Sequence, residues 1–434
     1  MELTMIATLG ITALLFLLFF GMNIGLAMLF IGFLGYATTV NLTAALGVLQ
    51  TVPATQASAY SLSVIPLFIL MGNLAFAAGM SEGLFNAGNK WLGRLPGGLA
   101  CGTIAACAGF GAICGSTAAT TATMGVVSIP EMRKYGYSDE LATGAVSIGG
   151  TLGIMIPPST PMIIYGIVAE VSIGRMFSAG IIPGLVLAVV LILTVVIQVK
   201  MKPELAPASK QYTLKEKLES LKGLTSMIIL FAGVFIGMFS GLFTINEAAA
   251  FGSFLALIIM IAKGKCTKQS LKKVMFDTIK TTAMCYLMLI GATVFGNFLA
   301  ITQVPMKMAS YIGGLNVSRY VILSFVVLIY AFLGCLMDAL PMVMLTVPIF
   351  LPIMTGLGFD PIWFGIIIIL VMELGLVTPP VGMNCYIVSG IAKDVPLSKI
   401  FKGSLPFTFA VLIVIIIVTL LPSLVTFLPT LIYG

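Results

Sequence analysis

The chain has 434 residues, of which 59% are hydrophobic and only 9% are charged. Because about a quarter of the residues of a soluble domain are charged, this composition excludes an ordinary soluble protein and predicts a polytopic membrane protein. The net charge of +7 does not indicate a nucleic-acid partner, since half of the 22 lysines and arginines lie in two short loops, 200–222 and 263–273. The chain has no histidine, which excludes Ser–His or Cys–His catalysis and imidazole metal sites.

In chain order, apolar runs of about 20 residues predict a series of membrane spans. These runs occupy 3–21, 23–40, 61–80, 140–170, 176–199, 224–241, 246–262, 275–302, 362–392 and 405–432. Two further apolar segments, 96–130 and 317–352, carry polar residues at their centres, in "GAICGSTAAT" and "GCLMDALP". Each has the pattern of two short arms meeting at a polar tip, so we expect two re-entrant hairpins.

Two of the predicted spans contain consecutive prolines, in "GTLGIMIPPSTP" (150–161) and "ELGLVTPPVGMN" (373–384). Proline removes a backbone donor and clashes with the preceding turn, so each helix should break there. Irregular backbone at that depth is tolerated only where protein buries it or where it lines a cavity. A single proline pair can be a packed kink, but two pairs at matching positions favour a functional role.

A single offset of 222 residues relates the two halves of the chain. It aligns 130–158 with 352–380 without a gap and matches identical residues, five of which are Gly or Pro. Each half then holds five spans and one hairpin, and because five is odd the halves must enter the membrane in opposite directions. We therefore predict an all-α protein of two inverted repeats, 1–199 and 224–434, joined by a Lys-rich linker at 200–223. Such repeats with broken helices are typical of secondary transporters.

The Lys-rich loops predict the orientation of the chain. Short Lys-rich loops beside spans mark the cytoplasmic side, so 200–223 and 263–273 are both expected there. The hairpin tips, Gly115–Ser116–Thr117 and Met337–Asp338–Ala339, are related by the same offset and would face the two breaks. Carbonyls freed at a break can bind a cation, and amides that open the next half-helix can attract an anion.

The polar side chains at the tips have two interpretations. A charge at the depth of Asp338 costs at least ~2.5 kcal/mol, so a functional role is the default for this carboxylate. The hydroxyls of Ser116 and Thr117 could instead belong to small residues that let helices pack closely. Sites rich in oxygen but poor in side-chain charge suit Na⁺, which is a hard cation.

Six longer strings carry a resemblance to a known family. They are "PLFILMGNL" (66–74), "MRKYGYSDELATGAVSIGGTLGIMIPPSTPMIIYG" (132–166), "MFSAGIIPGL" (176–185), "FTINEAAAFG" (243–252), "MDALPMVMLTVPIFLPI" (337–353) and "ELGLVTPPVGMNCYIVSGIA" (373–392). In order and over nearly the whole chain, they resemble the large membrane subunit of tripartite ATP-independent periplasmic (TRAP) transporters of the dicarboxylate and sialic-acid type.

The resemblance implies a function, partners and a location. The chain would import an organic acid anion by Na⁺ symport, with two or more Na⁺ ions and no organic cofactor. A periplasmic substrate-binding protein would deliver the acid, and a small four-helix membrane subunit would brace the chain in the lipid bilayer of a bacterial inner membrane. The architecture would be of the elevator type, in which both hairpins and both broken helices (140–170 and 362–392) move against a scaffold. Spans in 1–80 and 224–302 would contribute scaffold and arms, and 405–432 would be the last span.

The resemblance and the repeat offset also imply site residues. A cation at the second break would be held, largely through carbonyls, by Gly334, Gly375, Thr378 and Val381. The offset adds a sister site at Ala112, Gly153, Ile156 and Ser159. The candidates for facing the substrate are Ser116, Thr117, Ser159, Asp338 and Asn384. The second break has Val381 and Gly382 where the first has Ser159 and Thr160, so the two cation sites need not be equivalent.

Three other functions compete with this hypothesis. A stand-alone Na⁺/dicarboxylate symporter, which works without a receptor, would have a similar architecture. Only the sequence motifs favour the receptor-dependent family over it. An intramembrane enzyme is disfavoured because there is no histidine and no second deep aspartate for a two-aspartate protease. A passive channel is disfavoured because paired inverted hairpins have no obvious use in a pore.

Overall fold

The computed structural model describes residues 3–207, 211–313 and 317–434. Within these ranges the chain forms α-helices, three short 3-10 helices and no β-strand, which confirms the predicted all-α class. Residues 1–2 of the predicted first repeat and residues 208–210 of the predicted linker lie outside the described residues.

The helices fall into two sets, one on each side of the linker. The first set is Leu3–Phe19 (α1), Ile24–Thr39 (α2), Leu42–Ser58 (α3), Val64–Ala77 (α4), Met80–Leu92 (α5), Gly98–Cys114 (α6), Thr117–Lys134 (α7), Asp139–Gly149 (α8), Leu152–Met155 (α9), Thr160–Val168 (α10) and Ile173–Met201 (α11). The second set is Leu214–Leu221 (α12), Thr225–Phe239 (α13), Ile245–Ala262 (α14), Lys268–Thr302 (α15), Val304–Gly313 (α16), Arg319–Gly334 (α17), Ala339–Gly356 (α18), Pro361–Leu376 (α19), Met383–Ile391 (α20), Leu397–Leu420 (α21) and Ser423–Tyr433 (α22). The 3-10 segments are Tyr60–Ser63, Pro203–Leu205 and Lys222–Leu224.

The structure confirms a multi-span protein but shortens several predicted spans. Within the described ranges, seven helical segments are long and apolar enough to cross a membrane, or eight if the bent α8–α10 segment is one span. Helices α1, α2 and α19 have only 17, 16 and 16 residues. Polar caps fix two of these starts: Asn23 Oδ1 accepts from the Gly25 N–H at 3.0 Å, and Asp360 Oδ1 accepts from the Trp363 N–H at 2.8 Å. Hydropathy therefore predicts where the spans lie but not the residues at which they begin and end.

The predicted last span, 405–432, is wrong in its bounds. Helix α21 begins earlier, at Leu397, and ends at Leu420, and the separate helix α22 starts after Pro422. A proline disfavours helical backbone in the residue before it, which ends α21. The apolar run continues through this break, so hydrophobicity alone conceals it. Helices α3, α5 and α16 were not predicted, and the linker adds the short amphipathic helix α12.

Both predicted hairpin segments consist of two helices joined by a short tip. Helix α6 ends at Cys114, the next residue Gly115 adopts φ +59°, and α7 starts after Ser116. Helix α17 ends at Gly334, and α18 starts after Asp338. The second tip, 335–338, is therefore two residues longer than the first, 115–116. Helix α7 also continues to Lys134, past the predicted hairpin boundary at 130.

Both proline pairs interrupt helices. The chain leaves helical structure at 156–159 between α9 and α10, and the two arms of this span are bent by 41°. The second interruption covers 377–382 between α19 and α20. The Pro157–Pro158 and Pro379–Pro380 peptide bonds are both cis. The two breaks differ in burial, because residues 156–159 are buried whereas Pro379 and Pro380 are exposed.

Close backbone contacts between glycines hold many of these helices together. Such pairs are Gly25–Gly291, Gly83–Gly223, Gly88–Gly102, Gly111–Gly153, Gly144–Gly403 and Gly334–Gly375. In lipid there is little hydrophobic drive for helix association, and small residues let backbones approach closely instead. Two of the six pairs join a hairpin arm to a broken helix, and these two lie at the candidate cation sites.

A cluster of ion pairs links α7 and α8 to α21 and the segment before it. Arg133, at the end of α7, is 2.9 Å from Asp139 and 3.0 Å from Asp394. Lys399 is also 3.2 Å from Asp139. These side chains join the first hairpin and the first broken helix to the segment that follows the second broken helix.

We expect the Arg133–Asp394 ion pair to make the unfolding temperature of the chain depend on pH in the acidic range. Hydrogen bonding from Arg133 lowers the pKa of Asp394 below its ordinary value of 3.8. A carboxylate with a lowered pKa stabilises the fold fully above its unfolded-state pKa and loses this effect as the pH falls through its folded-state pKa. Asp394→Asn should therefore lower the unfolding temperature by roughly 1–2 °C at pH 5–8 and have no effect once Asp394 is protonated.

Thermal unfolding of the detergent-solubilised chain, followed by intrinsic fluorescence between pH 3 and pH 8, measures this difference. Glu204→Gln is the matched control, because Glu204 is exposed in the linker and belongs to no ion pair within the described ranges. A destabilisation by Asp394→Asn that stays constant down to pH 3 would show that the ion pair is not its cause.

Candidate functional site

The two hairpin tips and the first break meet at one cavity. Its volume is about 140 Å³. The hairpin and break residues in its lining are Cys114, Gly115, Ser116, Thr117, Ala119, Ile154, Thr160, Pro161, Asp338, Ala339 and Leu340. Of the predicted substrate-facing residues, Ser116, Thr117 and Asp338 therefore lie on one cavity, although 222 residues separate the two tips in sequence.

Three helices begin at this cavity. Helix α7 starts at Thr117, α10 at Thr160 and α18 at Ala339, and all three residues line it. A helix N-terminus carries roughly half a positive charge and several N–H groups without intrahelical acceptors. Asp338 is the one charged side chain among the described lining residues. The cavity thus combines one carboxylate with three sources of positive potential from the backbone.

The residues that cap these three helices are all among the predicted site residues. Ser116 Oγ accepts from the Ala119 N–H at 3.4 Å, and Asp338 Oδ1 accepts from the Ala339 N–H at 2.8 Å. Ser159 caps α10 and is fully buried, and its hydroxyl donates to the Ile154 carbonyl at 2.6 Å. Capping is a local reason for these residue types at these positions. It leaves the hydroxyl of Ser116 free to act as a donor.

One wall of the cavity comes from elsewhere in the chain. Ile69 and Asn73 on α4 and Thr281 on α15 complete the lining. The amide of Asn73 donates to the hydroxyl of Thr278 at 2.9 Å, which ties α4 to α15. Sequence reasoning missed Asn73 and Thr281 as site residues. The available signal for Asn73 was the string "LMGN" (70–73), which resembles "VFGN" (294–297) in the second half of the chain, whereas neither string contains Thr281.

The first break is held against the first hairpin tip. The Gly115 carbonyl accepts from the Thr160 N–H at 3.3 Å. A Cβ on Gly153 would lie 2.8 Å from the Ser116 carbonyl oxygen and 2.9 Å from Thr120 Oγ1. Gly153 therefore lies beside a group of backbone and hydroxyl oxygens. Ile156, another of the predicted cation ligands, is the first residue of the break and adopts extended backbone after the end of α9.

Ala112 does not occupy the position that the fixed offset gives it. The residue in backbone contact with Gly153 is Gly111, whereas Ala112 lines a small space with Pro158 and Leu230. This contact between the first hairpin and the first broken helix therefore does not follow the 222-residue offset. Gly111 is the structural counterpart of Gly334.

At the second break, three of the four predicted cation ligands lie close together. Gly334 and Gly375 are in backbone contact, so that a Cβ on Gly375 would lie 2.5 Å from Gly334 Cα. The Thr378 N–H donates to the Gly375 carbonyl at 3.2 Å, and its hydroxyl donates to the Leu374 carbonyl at 2.6 Å. Val381 is half-buried two residues after Pro379, and its role as a ligand stays a prediction.

Asn384 does not line the cavity between the tips. It is fully buried at the start of α20, and its amide donates to the Ser147 carbonyl on α8 at 3.0 Å. It therefore joins the two broken helices to each other. Its Oδ1 atom has no hydrogen-bond partner within the described ranges. The sequence pattern indicated a site residue here but not the direction it faces.

The described residues form an all-helical, multi-span membrane protein in which a cavity with hydroxyl groups and one carboxylate lies between two hairpin tips. Hairpins and broken helices of this kind are typical of membrane transporters. Residues 11–424 match the family model "Tripartite ATP-independent periplasmic transporter, DctM component". The chain therefore belongs to the large permease subunits of TRAP transporters, which confirms the resemblance found in the sequence.

Individual relatives agree with this family. The C4-dicarboxylate TRAP large permease DctM of Pseudomonas aeruginosa is 35% identical, over 85% of this chain and 86% of that protein. The sialic acid TRAP large permease SiaM of Vibrio cholerae is 33% identical, over 96% of this chain and 97% of that protein. Both are transport proteins, in agreement with the expectation that the chain is not an enzyme.

Two solved structures share the fold. The YdaH transporter of Alcanivorax borkumensis superposes with a TM-score of 0.63 at 15% identity, over 88% of this chain and 89% of that one. MtrF of Neisseria gonorrhoeae gives a TM-score of 0.59 at 15% identity, over 85% and 82% of the two chains. At this level of identity the likeness concerns the fold alone.

Proposed function

We propose that the chain is the large membrane subunit of a Na⁺-coupled importer of an organic acid anion. The single observation that carries the proposal is that the first residues of α7, α10 and α18 all line one cavity. The names of the relatives support the substrate class, since C4-dicarboxylates, sialic acid and isethionate are all acids. The isethionate permease DctMQ of Oleidesulfovibrio alaskensis is 34% identical over 86% of this chain.

In this proposal the acid binds between the hairpin tips. Its carboxylate accepts hydrogen bonds from N–H groups at the starts of α7 and α18 that the capping side chains leave available, because helix N-termini bind anions without a lysine or arginine. Ser116 and Thr117 can donate from their hydroxyls. The Asp338 carboxylate would repel the acid unless a cation lay beside it. Asp338 therefore supports coupling, because a cation that it attracts would in turn attract the acid.

Two or more Na⁺ ions bind at the breaks in this proposal. At the second break the ligands are carbonyls of Gly334, Gly375 and Val381 with the hydroxyl of Thr378. At the first break they come from Gly153, Ile156 and Ser159 together with Ala112 or its neighbour Gly111. Carbonyl and hydroxyl oxygens suit a hard monovalent cation, and no organic cofactor is needed.

The proposed mechanism is movement of an elevator domain in a bacterial inner membrane. The hairpins and broken helices carry the acid, while α4 and α15, which supply Asn73 and Thr281 to the cavity wall, belong to the scaffold. Membership of the TRAP family supports a small membrane subunit and a periplasmic substrate-binding protein as partners. Both Lys-rich loops, 200–223 and 263–273, would lie in the cytoplasm.

Reconstitution tests this proposal directly. Proteoliposomes containing the chain and its small subunit, supplied with the periplasmic receptor, should accumulate one of succinate, N-acetylneuraminate or isethionate only when an inward Na⁺ gradient is imposed. The measurement is uptake of the radiolabelled acid against Na⁺ concentration, with K⁺ replacing Na⁺ as the control. Uptake driven by a proton gradient alone would contradict Na⁺ coupling. Full activity without the receptor would instead support the stand-alone symporter.

A further inference from the structure

A second large space lies outside the cavity between the hairpin tips. It is a groove of about 490 Å³ between α8, α11 and α21. Helix α11 reaches the groove at its C-terminal end, near Lys202, and α21 reaches it close to its start, at Lys402. Together with Glu140 at the start of α8, these two lysines form the charged end of the groove.

Most of the remaining surface of the groove is apolar, and the groove is open. Met201, Leu405 and Phe409 line it with 76%, 52% and 58% of their surfaces exposed. Lys402 and Phe409 are seven residues apart on α21, which corresponds to about 10 Å along a helix. One leaflet contributes about 15 Å to the hydrocarbon core of a bilayer. The groove therefore changes from charged to apolar over the distance that separates a lipid headgroup from the middle of its acyl chains.

The charged end has more donors than acceptors. Lys402 lies 3.2 Å from Glu140, whereas Lys202 belongs to no ion pair within the described part of the chain. A phosphate group would supply acceptors to both lysines.

We propose that this groove binds one anionic phospholipid, with its phosphate between Lys202 and Lys402 and an acyl chain along Leu405 and Phe409. Basic pockets between membrane helices are known recognition sites for anionic headgroups. A zwitterionic headgroup carries its own ammonium group, which the lysines would repel, so the groove selects for negative lipid. The proposal does not depend on which acid the protein transports.

Lipid titration in native mass spectrometry tests the selectivity. The full chain is titrated with dioleoyl phosphatidylglycerol or dioleoyl phosphatidylcholine, and the first binding constants are compared. We expect phosphatidylglycerol to bind at least about fivefold more tightly, which corresponds to one effective lysine at a membrane surface. The double variant Lys202→Gln/Lys402→Gln should lose this preference. Lys268→Gln/Lys272→Gln removes the same charge from exposed positions on α15 and should retain it.

A second measurement avoids any loss of stability from leaving Glu140 without its partner. The unaltered chain, alone and with its small subunit, is irradiated in nanodiscs that contain a photoactivatable phosphatidylglycerol. Adducts should concentrate on peptides of α11 and α21, and excess unlabelled phosphatidylglycerol should displace them better than phosphatidylcholine. Adducts spread evenly over the lipid-facing helices would overturn the proposal. So would their loss when the small subunit is present, since the groove would then belong to a protein interface.

Discussion

Adding a single methyl group at Gly375 is expected to reduce Na⁺-driven uptake severely. In Gly375→Ala the new Cβ would lie 2.5 Å from Gly334 Cα and 2.9 Å from its carbonyl oxygen. Backbone atoms cannot rotate away as the end of a side chain can, so the second hairpin must separate from α19. Overpacking of this kind costs about 1–3 kcal/mol. It also displaces two proposed Na⁺ ligands together, so we expect uptake to fall at least about tenfold.

Gly390→Ala provides the matched control, because a Cβ at this position on α20 meets no atom within 4 Å. It should retain near-normal uptake and stability. The measurement is initial uptake at several Na⁺ concentrations, together with the unfolding temperature of each variant. A Gly375→Ala protein with a normal Na⁺ dependence would refute the proposed cation site at the second break.

We expect removal of the charge at Asp338 to reduce uptake at least about tenfold even when the helix cap is preserved. Asp338 both caps α18 and lines the cavity between the tips. Serine is an equally good cap, and Ser116 already performs this role without charge on the first tip. Asp338→Ser should therefore fold normally and fail in transport. Asp338→Ala should in addition lose about 1 kcal/mol of stability.

The control for this prediction is Asp360→Ser. Asp360 caps α19 through the Trp363 N–H at 2.8 Å and does not line the cavity, so its replacement should leave uptake unchanged. Uptake and unfolding temperature, measured in parallel, separate the two roles of Asp338. If Asp338→Ser transports as well as the unaltered chain, the carboxylate is a structural cap only.

The sequence predicted features that depend on local backbone chemistry. Proline pairs interrupt helices because of their own backbone geometry. The polar centres of the two hairpin segments become tips because Gly115 ends one helix and Ser116 and Asp338 cap the next ones. The family resemblance also followed from the sequence. The inverted repeat and the elevator movement stay predictions, although the unequal tips show that a fixed offset cannot describe every position.

Features that depend on contacts distant in sequence were not predictable. Asn73 and Thr281 become part of the cavity only because α4 and α15 pack against the hairpin tips. Asn384 looked like a substrate contact, but its amide meets Ser147 on the other broken helix. The identity of a residue indicates which bonds it can make, whereas the packing of other helices decides where its partner is.

The three helix starts around the cavity have a consequence for the chemistry of uptake. Peptide dipoles have no proton to gain or lose between pH 4 and pH 10, so their attraction for an acid is permanent. A lysine or histidine at the same place would lose its proton as the pH rises and would then attract the acid less. An arginine would have to be desolvated each time the site closed. The attraction that the three helix starts supply should therefore be the same in acidic and alkaline surroundings, and the pH limits of transport should come from the ionisation of the acid and of the Asp338 carboxylate in the same cavity.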